Sequence, residues 1–520
     1  MNDKYEAVIG LEVHAQLLTK SKAFCSCSTI YGASPNTNTC PICLGHPGTL
    51  PVLNKAVVEY AIKMGLATNC NIREKSTFAR KNYFYPDLVK GYQITQHEDP
   101  ICYDGYIEIE NNLSEPLIKM IDMIDTDNQC KSSKSLTSVV QTEKEMPNQV
   151  QHSRKKIGIT RIHIEEDTGK AIHDLDIDTL LDYNRSGVPL IEIVSEPDIR
   201  SANEAYKYLT ELKRILVYLN ICTGNMEEGA LRCDANVSVR LRGAKGFGTK
   251  TEVKNMNSFR NVEKAIDYEI NRQIELLENA EKITQETRMW DGQKQITKTM
   301  RTKETTSGYR YFTEPDLLPL IVDTNWKENI RAGLIELPLA RKDRFIAEYK
   351  IPDYDAGVLV DDKDVANYYE EVCSKLINKN EKNYKLVSNW LMTEVLRILS
   401  ERNIGINDLK LKSELVSELI ELFSADIISS RIAKDIFPEV LEKGTSPKTI
   451  IERDGLSQVS DTSAIEDIVK RIIESNPESV EKYKAGRTNV LGFFVGQVMK
   501  ESGGKANPKI VTELVTKYLN

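Results

Sequence analysis

Four cysteines carry the most specific chemical signal in this chain. Cys25-Ser26-Cys27 is followed, twelve residues on, by Cys40-Pro41-Ile42-Cys43. Two short pairs presented on two turns supply the four soft donors that a tetrahedral zinc ion takes at about 2.3 Å. With every position filled by protein, such a zinc is structural. The other six of the ten cysteines are scattered. Clustering of this kind favours metal over disulfides.

A harder set of donors is spread more widely. Glu12 and His14 stand two apart, so a strand projects both to one side. His163 and Glu165 repeat the spacing, with Glu166 and Asp167 behind them. Strand parity makes Glu165 rather than Glu166 the partner of His163. Asp234 and Glu252 fall on further strand-like segments. Carboxylates and imidazoles in such numbers suit hard divalent cations and the phosphates they carry.

Cations and aromatic rings come together twice. Arg80-Lys81-Asn82-Tyr83-Phe84-Tyr85-Pro86-Asp87, with Lys90 close behind, is the first cluster. Arg301, Lys303, Tyr309, Arg310 and Tyr311 form the second. Arg161 adds a guanidinium on the strand that carries His163. Arg and Lys suit phosphate oxygens, and aromatic faces suit a base or a ribose. The chain has no Walker A sequence and no GxGxxG after a strand, which excludes a P-loop or a dinucleotide crevice. Near the end, Gly486, Gly492 and Gly496 alternate with apolar residues. Arg487, Lys500 and Lys505 give that segment basic ends suited to a nucleic acid.

The elements that must position these groups follow from periodicity. Residues 5–20, 157–167 and 231–240 alternate as half-buried strands, each with one polar face. Strict alternation puts Ile157, Ile159, Arg161, His163 and Glu165 on one side of the second. Val262, Ile266, Ile270, Ile274 and Leu277 recur at helical spacing, and beyond about Asp361 the pattern is helical throughout. The order is therefore α+β, then all-α. Residues 111–155, poor in apolar periodicity over most of their length, read as a surface insert.

At 520 residues the chain exceeds one compact core, and 40% apolar with 28% charged residues is ordinary for a globular protein. No apolar run of about 18 residues suggests a membrane span. The start has neither the basic nor the apolar region of a leader and reads as cytoplasmic. A net charge of −8 excludes a protein coated for nucleic acid. From Glu481 to Asn520, however, seven Lys/Arg face three Glu, which suits docking one nucleic acid through one module.

The longer motifs name a family. Val8-Ile9-Gly10-Leu11-Glu12-Val13-His14, Arg80 through Leu88, and Ile164-Glu165-Glu166-Asp167-Thr168-Gly169-Lys170 are three of them. Asp182 through Glu192, Leu231 through Asn236, Glu252 through Ser258 and Tyr309 through Leu317 complete the series. In this order they resemble the B subunit of the tRNA-dependent aspartyl/glutamyl amidotransferases. The C-terminal third resembles it more loosely, through the glycine-spaced segment and Lys505-Ala506-Asn507-Pro508.

The resemblance implies a glutamine-synthetase-like antiparallel cradle over 1–335, a helical domain over 336–450 and a tRNA-binding helical tail over 451–520. It implies that Glu12, His14, one or both of Glu165 and Glu166, Asp234 and Glu252 hold magnesium and the phosphates of ATP, beside the cations of the two clusters. It implies phosphorylation of the carboxylate of Glu-tRNA(Gln), Asp-tRNA(Asn) or both. Amidation follows, with ammonia released by an amidase partner, the A subunit of a heterotrimer in which the small C subunit clamps the pair. The alternative is a non-catalytic tRNA-binding scaffold. Two departures stand out: Thr306-Ser307-Gly308 before Tyr309, and the length of the insert.

Overall fold

The computed structural model describes residues 4–110, 154–172, 176–302, 309–456, 462–484, 490–502, 506 and 508–519. Lys303, Thr306-Ser307-Gly308, Arg487, Lys505 and all of the 111–155 insert but its last two residues lie outside them, as does the side chain of Arg301. The chain divides into two compact units, Met1–Leu337 and Pro338–Asn520.

The first unit is built on sixteen described strands. They are β1 (Tyr5–Gln16), β2 (Asn71–Ile72), β3 (Lys75–Ser76), β4 (Ala79–Asn82), β5 (Tyr92–Thr95), β6 (Cys102–Glu110), β7 (Arg154–Glu166) and β8 (Lys170–Ile172). The rest are β9 (Leu180–Asp182), β10 (Pro189–Ser195), β11 (Leu231–Leu241), β12 (Thr251–Met256), β13 (Glu286–Asp291), β14 (Ile296–Thr302), β15 (Arg310–Thr313) and β16 (Leu320–Ile321). Twelve of them form one sheet, in the order β14-β13-β12-β11-β1-β10-β7-β5-β4-β15, with β6 also on β7 and β2 on β6.

The sheet is mixed, not purely antiparallel as the resemblance implies, because β12 and β13 run parallel. Parallel neighbours need a crossover rather than a hairpin. Here α3 (Phe259–Glu278) supplies it. With α1 (Lys55–Ala67) and α2 (Ala202–Tyr218), α3 belongs to the core that covers one face of the sheet. Ser201 and Ser258 cap α2 and α3, each hydroxyl accepting a backbone N–H from the first helical turn.

In β1 the alternation falls as expected: Ile9, Leu11 and Val13 are buried in that core, while Glu12 and His14 are half-buried on the other face. β7 departs from strict alternation. Its pairing with β10 slips by one residue between Val194 and Ser195, a β-bulge at Thr160. The extra residue resets the phase. Ile157 and Ile159 therefore join Ile162 and Ile164 in the core, while Arg161, His163 and Glu165 take the opposite face. The apolar half and the chemical half of one strand are thus both satisfied.

In the second unit the described elements are all helical. One core gathers residues from Phe345 to Ile451, among them Tyr369, Trp390 and Phe437. Another gathers residues from Ile465 to Leu519, around Phe494 and Val515. Among the described residues no helix is long and apolar enough to cross a membrane.

Candidate functional site

Strand register assembles a basin of titratable groups on the sheet face opposite the core. β11 sets Asp234 opposite Glu12 and Arg232 opposite His14. On the other side of β1, β10 sets Glu192 opposite His14, and β7 sets His163 opposite Glu192. Directly paired residues of one face lie about 5 Å apart at Cβ. The register alone therefore puts these side chains within reach of one another.

Around β10 the contacts are dense. His14 Nε2 lies 3.4 Å from a Glu192 oxygen and 3.8 Å from Glu165. His163 Nε2 lies 3.2 Å from Glu192 and 3.5 Å from Glu165. The Thr95 hydroxyl donates to Glu165 at 3.0 Å, and Lys81 Nζ stands 3.7 Å from the same carboxylate. Burial disfavours charge on all four acid and imidazole groups, but their mutual attraction outweighs it. His14 is raised, and His163 is pushed up to about 9 by Glu192 and Glu165. Both carboxyls are held below their usual range, Glu165 by Lys81 and His163, Glu192 by His163 and His14. His14, Glu165 and Glu192 each offer a ligand atom within 4.8 Å of the others. That donor set fits a divalent cation, which would replace the imidazolium charge.

A second group lies toward β12. The Asn236 amide donates to Glu12 at 2.8 Å. Lys254 is ion-paired with Asp234 and, at 3.0 Å, with Glu252, which also accepts from Thr287 at 3.0 Å. Glu12 and Asp234 are like charges directly opposite, an arrangement that destabilises a bare sheet. The neighbouring Lys254 relieves it. Burial would lower the Lys254 pKa, but Asp234 and Glu252 raise it. At the rim, buried Asp167 accepts from Arg232 at 2.7 Å and Gln16 at 2.9 Å, with Arg185 at 3.6 Å.

Several expected site residues are placed elsewhere. Glu166 turns away from the histidines and accepts from Lys90 and, at 2.9 Å, from the Ile94 backbone. Arg80 is locked on Glu314 at 2.7 Å and Asp316 at 2.9 Å and lies over the Tyr92 ring. Tyr83 packs edge-on against Tyr309 and donates to Gln93 at 3.3 Å. Tyr85 and Arg310 are exposed. Arg161 does face the basin side, and its buried Nε finds no partner among the described residues. Lys500 is exposed beside Gly492 and Gly496, where an added Cβ would meet nothing within 4 Å.

Sequence reasoning misses Glu192 as a ligand because it sits inside the apolar run Pro189–Ser195. The signal is there in principle: one acid between Ile191 and Ile193, at strand parity with Leu190 and Val194. Arg232 and Lys254 are missed because each enters only as part of a motif.

The four cysteines meet away from the basin, with their sulfurs within 4.8 Å of one another. Sulfurs about 2.3 Å from a common tetrahedral ion would lie about 3.8 Å apart. The set therefore fits zinc with little rearrangement. Cys25 donates its S–H toward Cys43, which pulls the Cys43 thiol down to about 4 and pushes that of Cys25 up. Burial pushes Cys27 up to about 11. A cavity of about 60 Å³ adjoins the cluster, lined by Cys25, Cys43, Lys22, Lys90 and Glu166 among others.

Comparison with known proteins covers nearly the whole chain. Residues 7–328 match the family described as the GatB/GatE catalytic domain, and residues 368–519 match the GatB domain. A protein of Thermodesulfovibrio yellowstonii, named as the B subunit of aspartyl/glutamyl-tRNA(Asn/Gln) amidotransferase, is 51% identical over 516 residues, 99% of each chain. Proteins of the same name from Chlorobium phaeobacteroides and Caldanaerobacter subterraneus are 50% identical over 516 residues and 49% over 517, covering at least 99% of each chain.

Proposed function

The chain belongs to the B-subunit family of the aspartyl/glutamyl-tRNA(Asn/Gln) amidotransferases, and on that premise we propose that it uses ATP to activate a carboxylate carried on tRNA for attack by ammonia. As a member of an amidotransferase family it is a ligase subunit. The substrates are Glu-tRNA(Gln), Asp-tRNA(Asn) or both.

The chemistry explains the donor set. A side-chain carboxylate is a poor acyl donor because its leaving group would be oxide. Transfer of the terminal phosphoryl group of ATP turns that oxygen into phosphate, which ammonia can displace. When bound, magnesium supplies charge stabilisation for the transferring phosphoryl group. His14, Glu165 and Glu192 would hold it on one side of the basin, and Glu12, Asp234 and Glu252 on the other. Lys81 and Arg161 are the cations best sited to meet phosphate oxygens. Glu166, Arg80 and Lys90 already have partners, and Tyr85 and Arg310 are exposed; the proposal gives them no direct part.

Ammonia comes from an amidase partner, the A subunit, with the small C subunit joining the complex, in the cytoplasm where aminoacyl-tRNA is used. In fold terms the first unit is a glutamine-synthetase-like cradle. Residues 336–450 form a helical domain, and the tail over 451–520 contacts tRNA through its basic residues, Lys500 among them. The cysteine centre is structural zinc.

The observation that supports this most is the meeting of His14, Glu165 and Glu192 within 4.8 Å from three separate strands. A non-catalytic scaffold would have no use for it. The test is ATP-dependent amidation of each mischarged tRNA by the reconstituted complex, with free ammonia as donor. Phosphate release and amide formation are expected together. Binding of tRNA with no ATP turnover would favour the scaffold.

A further inference from the structure

We propose that Lys22 is the charge partner of the four-thiolate centre and fastens it to the segment that leads into β10, a proposal that rests on the zinc reading above. Lys22 is one of the largest fully buried side chains, with a relative exposure of 0%. Its Nζ lies 3.6 Å from Cys43 Sγ and 3.4 Å from the Tyr183 carbonyl. Glu166, the carboxylate on the same cavity wall, is ion-paired with Lys90 instead. A buried ammonium needs a counter-charge. A single cysteine sulfur and one carbonyl do not provide it in full.

A zinc tetrathiolate does. Four thiolates and one divalent ion leave a net double negative charge at the centre. An ammonium donating to one sulfur offsets part of that charge and makes the sulfur a poorer target for protons and electrophiles. Outer-shell donors of this kind orient ligands and tune their basicity.

The other end of the argument is mechanical. The zinc loop is laced to residues 181–187. Asn36 N donates to Asp182 at 3.0 Å, Asn38 N to the Asn184 side chain at 2.7 Å, and the Asn184 amide to the Ser34 carbonyl at 2.7 Å. Ala23 N donates to the Gly187 carbonyl at 2.9 Å, and Gly187 N to that of Asp167 at 2.9 Å. Gly187 has a φ of +84°, and a Cβ there would sit 3.4 Å from Lys22 Cδ and 3.5 Å from Cys43 Cβ. The lysine stem therefore runs where loop and segment press closest. Its head bridges a thiolate of one to a carbonyl of the other.

The experiment uses the full chain. Zinc is measured first: a folded, metal-free wild type removes the zinc reading itself, and this proposal with it. In a zinc-bearing wild type, Lys22→Met keeps the stem volume and removes the charge. Zinc affinity, read by chelator competition, is expected to fall about 10–100-fold. In the cobalt-substituted protein the thiolate-to-cobalt band should move to longer wavelength, and alkylation of bound thiolate should quicken. Lys22→Arg retains the charge and should restore the band. Unchanged affinity and an unchanged band in folded Lys22→Met would assign Lys22 to packing alone and overturn the proposal, leaving zinc intact. Should Lys22→Met not fold, Lys22→Arg decides: an affinity as low as that of a cysteine variant overturns it equally.

Discussion

The thiolate centre and the carboxylate–imidazole basin are built in opposite ways. The cysteines come from one stretch between Cys25 and Cys43, presented on loops, and their meeting needs only two turns. The basin draws on β1, β7, β10, β11 and β12, and its members are buried and half-buried groups set by strand register. A local centre depends on its ligands. A register-built centre depends on the whole sheet, and each of its charges is held by charges from elsewhere in the chain.

Breaking the basin at its hub should have the largest effect. Glu192→Gln removes the acid that lies nearer to both histidines. It should lower ATP-dependent phosphorylation of the tRNA-borne carboxylate by about 10²–10³-fold, as expected from several kcal/mol of lost charge stabilisation. tRNA binding should stay near wild type, and the variant should remain folded with a lowered unfolding midpoint. Near-normal turnover would show that the hub does not hold the ion. For the local centre, Cys40→Ser should lower zinc affinity by more than the about 100-fold expected of an outer-shell change, measured by competition with a chelator. Phosphorylation by the protein that remains folded should be largely kept; parallel loss of both would erase the contrast between the two regions.

Smaller effects sharpen the comparison. Arg80→Met should cost about 3 kcal/mol in denaturant unfolding, because it strands the buried Glu314 carboxylate without its partner. ATP affinity of the folded variant should change little. A selective loss of ATP binding would return Arg80 to the phosphate role that its sequence suggests. Smallest is Thr95→Val, which deletes one hydrogen bond to Glu165. About 1 kcal/mol is at stake, read as a several-fold fall in metal affinity with no change in fold. A fall as deep as that of Glu192→Gln would mean that Thr95 itself meets the ion.

The same contrast explains what the sequence can reveal. The cysteine spacing is a local statement and is legible at once. So is the face of Glu12 and His14, because β1 alternates without interruption. Parity alone prefers Glu165 over Glu166, and the structure puts them on different partners. What stays hidden depends on pairing between distant segments. Arg80 looks like a phosphate ligand because nothing nearby in the chain competes for it, whereas its acid, Glu314, lies 234 residues away. The parallel β12–β13 pair depends on where α3 returns the chain. Glu192 looks like a stray acid in an apolar strand until both neighbouring strands are in place.

Thr160 shows how little separates a working face from a failed one. The strand holding His163 changes phase at that bulge, so its length carries information that its composition does not. Pairing without the bulge there, with no residue lost, would leave every family motif intact and every ligand in the chain. It would also turn an imidazole and a carboxylate into the oily layer beneath, or two isoleucines out into water. Deletion of Thr160 itself takes the extra residue out with the bulge and should be absorbed, whereas a one-residue insertion between Ile162 and His163 should not.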